Sequence, residues 1–347
     1  MAVADELRKS GAEVSFLGTR EKAEADLVPA AGYEIDFLNV HGIDRRNPLR
    51  AAKAGFEALG AVGAVRSVLR RRQVDVVMGA GGYVAAPAGM AAILGRKPLV
   101  LTEADSHLGL ANRLLAGRAR RVCLAFPIEG REGDPYLVTG RPVPDAVLAA
   151  DRGAARARFG IGEDERTVLV VGGSLGARSV NFAAVEAFAE RGGRGFRVLH
   201  VAGRRDHAEL RERLDAAPYK GGYELIEYEP SLGDVLAASD LILGRSGGSV
   251  FEFVAAGRPA VLVPYPYATA DHQRTNAQWM ERAGAATIVE DGELDPAALL
   301  AEVDGILNDA GRLERMSAAA SGLARPRAAR EIADQVLEAA TSAKGGP

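Results

Sequence analysis

With a single cysteine, Cys123, in 347 residues, the chain cannot form an internal disulfide or a cysteine-built zinc site, which fits a reducing cytoplasm. Aromatic residues are only 5%, too few for the stacking platforms that hold single-stranded nucleic acid. A net charge of −3 adds no general attraction for polyanions, so no nucleic-acid partner is expected. No apolar run approaches roughly 18 residues, so no membrane-spanning helix is expected. The chain contains no D-x-D triplet to hold a divalent metal on a sugar diphosphate, and no pair of histidines at helical spacing around His272. Neither a metal nor a cofactor is expected, and helix termini would have to supply the missing positive charge.

What remains is an ordinary globular composition, 48% hydrophobic and 26% charged, at a length that suits two domains. Residues 1–140 carry 19 Lys+Arg against 16 Asp+Glu, and the remainder 24 against 30, so the two halves suit different partners. Short apolar runs alternate with amphipathic stretches. Candidate strands are 13–17, 74–78, 99–101, 167–171, 197–201, 223–227, 241–243 and 260–263, with helices between most of them. This alternation predicts α/β domains with parallel sheets, whose ligands lie beyond the carboxyl ends of the strands. The segment 140–162, with two prolines and a polar helix, predicts a hinge. The expected division is 1–144, 145–325 and a terminal helix and tail at 326–347. The opening MAVADELRKSGAEV reads as the body of an amphipathic helix running into a strand, so the first domain is expected to lack something upstream.

Five stretches offer chemistry. In TVLVVGGSLGARSVN, residues 167–181, a strand runs into Gly172, Gly173, Ser174 and Gly176 before a helix begins near Ala177. Bare backbone and a helix N-terminus suit a diphosphate, to which the Ser174 hydroxyl can donate; a tight turn with no ligand is the plainer reading. The spacing is neither the dinucleotide G-x-G-x-x-G nor the G-x-x-x-x-G-K-[ST] loop. In residues 240–266 a strand ends in Gly244, Gly247 and Gly248, then Ser249 and Glu252 stand three apart. That spacing makes a capping box, and equally places a two-oxygen carboxylate where it can accept from both hydroxyls of a ribose. Asp271, His272, Gln273 and Asn276 open another helix, where they can read sugar hydroxyls or simply cap it. In the first half, Gly79, Gly81 and Gly82 end a strand, with Pro87 expected near the helix start. Glu103, Asp105, His107 and Asn112 follow the next strand. Residues 42–73 carry eight Lys+Arg among Leu49, Phe56, Leu59, Val62, Val65 and Leu69. That suits an anionic membrane surface, or an ordinary helix with its apolar stripe turned inward.

Taken together, EADLVP at 24–29, GAGGYVAAP at 79–87, TGRPV at 139–143, GGSLGAR at 172–178, RSGGSVFE at 245–252 and DHQRTNA at 271–277 resemble the MurG-type glycosyltransferases, glycosyltransferase family 28. The resemblance spans nearly the whole chain. It implies a GT-B fold: two Rossmann-like domains whose parallel sheets face an inter-domain cleft, with the first domain truncated at its N-terminus. It also implies metal-independent, inverting transfer of N-acetylglucosamine from UDP-N-acetylglucosamine to an undecaprenyl-diphospho-muramoyl-pentapeptide, in peptidoglycan synthesis at the cytoplasmic face of the cell membrane. On matching positions, it implies donor contacts from Ser174, Glu229, Gly247, Gly248, Ser249, Glu252, His272, Gln273 and Arg141. Acceptor contacts are implied from Gly79, Gly81, Gly82, Tyr83, Asp105 and Asn112.

The chain departs from the family pattern at three places. The family's opening GGTGGH-like loop, whose histidine is a candidate general base, has no counterpart, leaving Glu103, or Asp105, as the substitute. HEQN reads TEAD, and an expected arginine is Pro144, with Arg141 close by. Two other readings follow from these departures: a nucleotide-sugar-binding protein without turnover, and another GT-B enzyme acting on glycolipids.

Overall fold

The computed structural model describes residues 1–38, 48–172, 177–190 and 195–342, apart from the side chains of 48–59 and Thr269. The chain divides into two compact units, Met1–Pro142 with Arg327–Pro347, and Val143–Pro326.

The first unit contains β1 (Ser15–Gly18), β2 (Glu34–Phe37), β3 (Val77–Gly79), β4 (Leu99–Glu103), β5 (Arg121–Leu124) and β6 (Tyr136–Val138). All pairings are parallel, in two separate sheets, β1-β2 and β3-β4-β5-β6. Among the described residues, β1 pairs only with β2 and β3 only with β4. Side chains nevertheless join the two sheets: Leu17 and Leu38 pack with Val77, Leu99 and Leu101 in one core. The helix Ala2–Lys9 turns Val3, Ala4 and Leu7 inward, a spacing of three and four that keeps one face apolar. Val3 and Leu7 meet Val100, Cys123, and Ile332, Ala333, Val336 and Ala339 of the terminal helix Ala328–Ser342. That helix therefore covers a face of the first unit's sheet.

The second unit carries one six-stranded parallel sheet: β7 (Thr167–Val171), β8 (Arg197–Val201), β9 (Tyr223–Ile226), β10 (Leu241–Gly244), β11 (Ala260–Leu262) and β12 (Ala286–Ile288). Its order is β12-β11-β10-β7-β8-β9. Val168, Leu169 and Val170 of β7 are fully buried, as continuous apolar runs must be when helices cover both faces. From β7 the chain moves outward through β8 and β9, then returns to lay β10 against the other side of β7. At the foot of this pair, the buried Asp240 carboxylate accepts from the Thr167 backbone N–H at 2.9 Å and from Arg152 at 2.8 Å.

Several elements differ from the sequence reading. β2, β5, β6 and β12 had no counterpart among the candidate strands. EIDF alternates charged and apolar residues but over only four positions, and RVCL and the three-residue strands are likewise too short to establish a period; neighbouring strands hold them extended. β3 occupies Val77–Gly79 rather than 74–78. Pro87 is not near a helix start: the helix Gly82–Leu94 begins five residues earlier and carries it inside. In the helix Pro48–Arg71, Ala61, Val65 and Leu69 are buried in the first unit's core, so that part of the basic stretch turns its apolar stripe inward. Arg71, at the end of the same helix, pairs with Asp36 of β2 at 2.6 Å. Leu49, Phe56 and Leu59 lie outside the described side chains.

Within the second unit the helix Leu232–Ala238 rests directly on Asp145–Leu148. A Cβ added to Gly233 would fall 2.2 Å from the Ala146 carbonyl oxygen, which is backbone and cannot swing aside. Gly233→Ala is expected to destabilise this unit by about 1–3 kcal/mol, the usual cost of overpacking. Urea denaturation measures it, and an unchanged midpoint would contradict the contact.

Candidate functional site

The reversal between β7 and β10 is a topological switch point, where the two following loops diverge and leave a crevice at the strands' carboxyl ends. A cavity of about 550 Å³ lies there. Val171 and Gly172 come from β7 and its loop, and Gly247 and Ser249 from the loop after β10. Arg178 and Ser179 come from the helix Arg178–Val185, and Arg205 from the loop after β8.

Arg245 ties the walls together. Its guanidinium donates to the carbonyls of Val263 (3.1 Å) and Pro264 (3.2 Å) and to Ser179 Oγ (2.8 Å), and pairs with Asp291 at 2.6 Å. Ser179 donates to the same carboxylate at 2.6 Å. Only 12% of the Arg245 side chain is exposed, and Asp291 balances its charge. It therefore serves the cavity as a cross-brace joining the loops after β10, β11 and β12 to a helix start.

Gln273 is oriented by its own carbonyl. Its Oε1 accepts from the Tyr265 backbone N–H at 3.0 Å, which turns the amide NH2 toward Gly247 and the cavity. Its helix, His272–Arg282, is docked through Ser246, whose hydroxyl donates to the Gln273 carbonyl at 2.7 Å. The Ser246 carbonyl in turn accepts from Asn276 at 3.0 Å. Ala270 and Asp271, just before this helix, both have left-handed backbone (φ 52° and 53°), a conformation that side chains with a Cβ rarely adopt.

Behind the cavity lies a buried polar relay. Asp206 is fully buried and accepts from Arg205 Nε (2.9 Å) and Nη2 (3.0 Å), Arg178 Nη1 (3.4 Å) and Asn181 Nδ2 (3.0 Å). The Asn181 amide also donates to the Ala202 carbonyl at 2.9 Å, so its Oδ1 must accept from His200 Nε2–H at 3.0 Å. His200 Nδ1 then accepts from the Tyr223 hydroxyl at 2.7 Å. Burial pushes His200 down to about 3, keeping it neutral, while the Arg205 guanidinium leads the interactions that hold Asp206 below the usual carboxylate range.

Of the residues expected to bind a donor, Gly247, Ser249 and Gln273 line this cavity. Ser249 occupies the N-cap of Val250–Ala255 without a side-chain capping bond, which leaves its hydroxyl for the cavity rather than for the capping box. Gly248 adjoins both, Glu252 stands in the first turn of that helix, and His272 precedes Gln273. Glu229 is held elsewhere: its side chain, 4% exposed, accepts from Arg158 and from the Ser231 N–H. Ser174 lies outside the described residues, as do Gly173 and Gly176. Arg141 is exposed near the end of the first unit. Arg178, Arg205, Arg245 and Asp291 escaped sequence reasoning. The arginines sit inside GGSLGAR, GRRD and RSGG, where the adjacent glycines were the only visible signal.

In the first unit, Gly81 and Gly82 (φ 80° and 75°) turn the chain after β3 beside Asn112. Glu103, ending β4, is buried. Its Oε2 accepts from Gly109 N–H (2.8 Å) and Asn112 Nδ2 (2.9 Å), and its Oε1 from Asp105 N–H (3.2 Å). These bonds suit an anchor for the loop 104–109 better than a proton acceptor. Asn112 also donates to the Thr102 carbonyl at 2.9 Å. Tyr83 hydrogen-bonds Thr19 at 3.3 Å, and Gly79 packs on Leu101. Among the described residues no group of three or more His, Cys, Asp or Glu is placed to hold a metal ion.

Two family models match: the glycosyltransferase family 28 N-terminal domain over residues 1–124 and its C-terminal domain over 167–336. A relative from Moorella thermoacetica is 38% identical across 99% of this chain and 95% of its own length. One from Alkalilimnicola ehrlichii is 41% identical across 98% and 94%. Both are named UDP-N-acetylglucosamine–N-acetylmuramyl-(pentapeptide) pyrophosphoryl-undecaprenol N-acetylglucosamine transferase. Among solved structures, MurG of Acinetobacter baumannii superposes with a TM-score of 0.78 at 27% identity, covering 97% of this chain and 94% of that one.

The His200 relay sets an acid dependence. An unfolded imidazole binds a proton as pH falls through its ordinary value of about 6.5, whereas the folded one refuses it until about 3. Stability present above pH ~6.5 is therefore lost as pH falls, by at most about 1.4 kcal/mol per pH unit for one group. Melting temperatures from pH 7 to 4.5 should fall in the parent and fall less in His200→Gln; equal slopes would contradict this account.

Proposed function

The chain belongs to glycosyltransferase family 28, and we propose that it transfers N-acetylglucosamine from UDP-N-acetylglucosamine to N-acetylmuramyl-(pentapeptide) pyrophosphoryl-undecaprenol, a step of peptidoglycan synthesis. The observation that carries the donor assignment is the switch-point cavity, where a glycine-rich loop, the Ser249 hydroxyl, the Gln273 amide and two arginines converge. Its volume, about 550 Å³, lies in the range of small-molecule sites.

The chemistry follows from those groups. Breaking the bond between sugar and diphosphate leaves negative charge on UDP, and fixed donors aimed at that charge lower the barrier. Arg178, Arg205 and the Ser249 hydroxyl provide such donors, assisted by the N-terminus of Arg178–Val185. Ser174 and Gly248 join them in this reading. The Gln273 NH2, held by Tyr265, reads a sugar hydroxyl, with His272 alongside. Glu252 accepts from the ribose hydroxyls, and the backbone at Glu229 meets the base. Arg141 is assigned a donor contact as well. Direct displacement by the acceptor hydroxyl forms the new glycosidic bond as the bond to the diphosphate breaks, inverting the anomeric carbon and releasing UDP and the hydroxyl's proton. Gly79, Gly81, Gly82, Tyr83, Asp105 and Asn112 form the acceptor site in the first unit, with Glu103 shaping their loop.

The assay is release of UDP from UDP-N-acetylglucosamine with the lipid-linked acceptor. Gln273→Ala should raise KM for UDP-N-acetylglucosamine roughly fivefold to tenfold, the value of one lost hydrogen bond, while inhibition by UDP stays as in the parent. Failure of the parent to use this donor would sink the function, and equal weakening of UDP would sink the role of Gln273.

The acceptor is lipid-linked, and we propose that the first unit docks peripherally on the cytoplasmic face of an anionic membrane. Among the described residues no helix is long and apolar enough to cross one. Met90 and Leu94, one turn apart on Gly82–Leu94, are 43% and 55% exposed; Leu110 and Leu114, on the adjoining helix Leu110–Leu115, are 36% and 70% exposed. Lys97, Arg118 and Arg120 gather beside Ile93 at the rim of a second cavity. Apolar side chains can enter the headgroup layer while the cations meet anionic lipid, each contributing about 1 kcal/mol. The double variant Leu94→Glu, Leu114→Glu should lose cosedimentation with vesicles containing phosphatidylglycerol and keep its affinity for UDP. Undiminished cosedimentation would rule out this surface.

A further inference from the structure

Resting on the donor assignment above, we propose that Asp206 is a positioning residue that presents Arg205 to the donor's diphosphate, with Arg178 as its brace. Asp206 exposes nothing, whereas the two arginines are 58% and 55% exposed and line the cavity. One buried carboxylate thus grips the inner edges of two cations from different elements: the loop after β8 and the first residue of Arg178–Val185.

The grip on Arg205 has a defined geometry. Gly203, with φ 81°, turns the chain out of β8 and sets Arg205 and Asp206 side by side. Nε and Nη2 are both committed to the two Asp206 oxygens, which fixes the plane of the guanidinium. Nη1 makes no hydrogen bond among the described residues, so the fork keeps donors for a ligand in the cavity. Arg178 is committed differently. Its Nη1 reaches Asp206, and Glu209, itself half exposed, takes its Nη2 at 2.9 Å. Arg178 therefore shares the anchor, and Arg205 makes the principal contact with phosphate.

Asp206 is itself held from behind. The donors run in one direction, from Tyr223 through His200 and Asn181 to the carboxylate. All four side chains are buried, so the carboxylate has little freedom to follow a moving arginine. A guanidinium fixed before the ligand arrives loses less conformational entropy on binding than one recruited from solvent. A purely structural role for Asp206, closing the junction of β8 with the following helix, would leave phosphate recognition untouched.

The test compares UDP with uridine by isothermal titration calorimetry on the full chain. Arg205→Ala and Asp206→Asn should each weaken UDP about tenfold or more, as expected for a lost charge-assisted hydrogen bond, and leave uridine within about twofold of the parent. Arg205→Lys should recover only part of the loss, because an ammonium keeps the charge without the fork. Equal weakening of UDP and uridine by Asp206→Asn overturns the positioning role, and so does an unchanged ratio in Arg205→Ala. Should Asp206→Asn fail to fold, Arg205→Ala decides alone, since its side chain is largely exposed. A parent that binds UDP alongside unaffected variants defeats only this proposal; a parent that does not bind UDP defeats the donor assignment too.

Discussion

The carboxylate of Asp240, bonded to the Thr167 N–H and to Arg152, fastens the foot of β10 to the foot of β7, and the cavity at the carboxyl ends of these strands depends on that pairing. These strands are adjacent in the sheet, yet more than sixty residues and two other strands separate them in the chain. Their following loops leave in opposite directions because the two crossovers cover opposite faces. A crevice is the geometric consequence. If β10 lay beside β9 instead, Gly172 after β7 and Gly247 after β10 could not line one cavity.

Around that crevice charge is handled by buried pairing. Asp291 neutralises Arg245, which then braces loops instead of attracting a ligand. Asp206 shares its charge between two arginines that remain more than half exposed. The two acids thus hold cations in opposite senses, one inward as a strut and one outward toward the cavity. Neutral side chains complete the design: Gln273 and Asn181 each have one end of the amide fixed by backbone, so the other end has a settled direction. In the first unit Glu103 follows the same logic, since three N–H donors convert a carboxylate into a loop anchor.

Much of this was legible in the linear order of residues. Buried parallel strands announce themselves as unbroken apolar runs, as in TVLVV and LILG, because both faces must be covered. Glycine clusters directly after such runs mark ligand loops, since only bare backbone allows close approach. Gly247 and Ser249, which line the cavity, were singled out that way, and Gln273, which lines it too, as part of the polar cluster that opens a helix. The short strands β5, β6 and β12 were not, because three or four residues carry no period and take their extension from neighbours. Pro87 was misplaced because proline favours a helix start locally, while the chain tolerates one missing bond inside Gly82–Leu94.

The sequence by itself determined the α/β class, the glycine loops, the family and the small set of polar residues beside those loops, since all of these rest on local pattern. Tertiary structure alone decided which arginines face the cavity and which are spent on carbonyls, because that depends on partners far away in the chain. Arg245 meets Asp291 and Ser179 across 46 and 66 residues, and His200 meets Tyr223 across 23. Only folding into one parallel sheet brings such groups within hydrogen-bond distance, and only burial then makes their pairing obligatory.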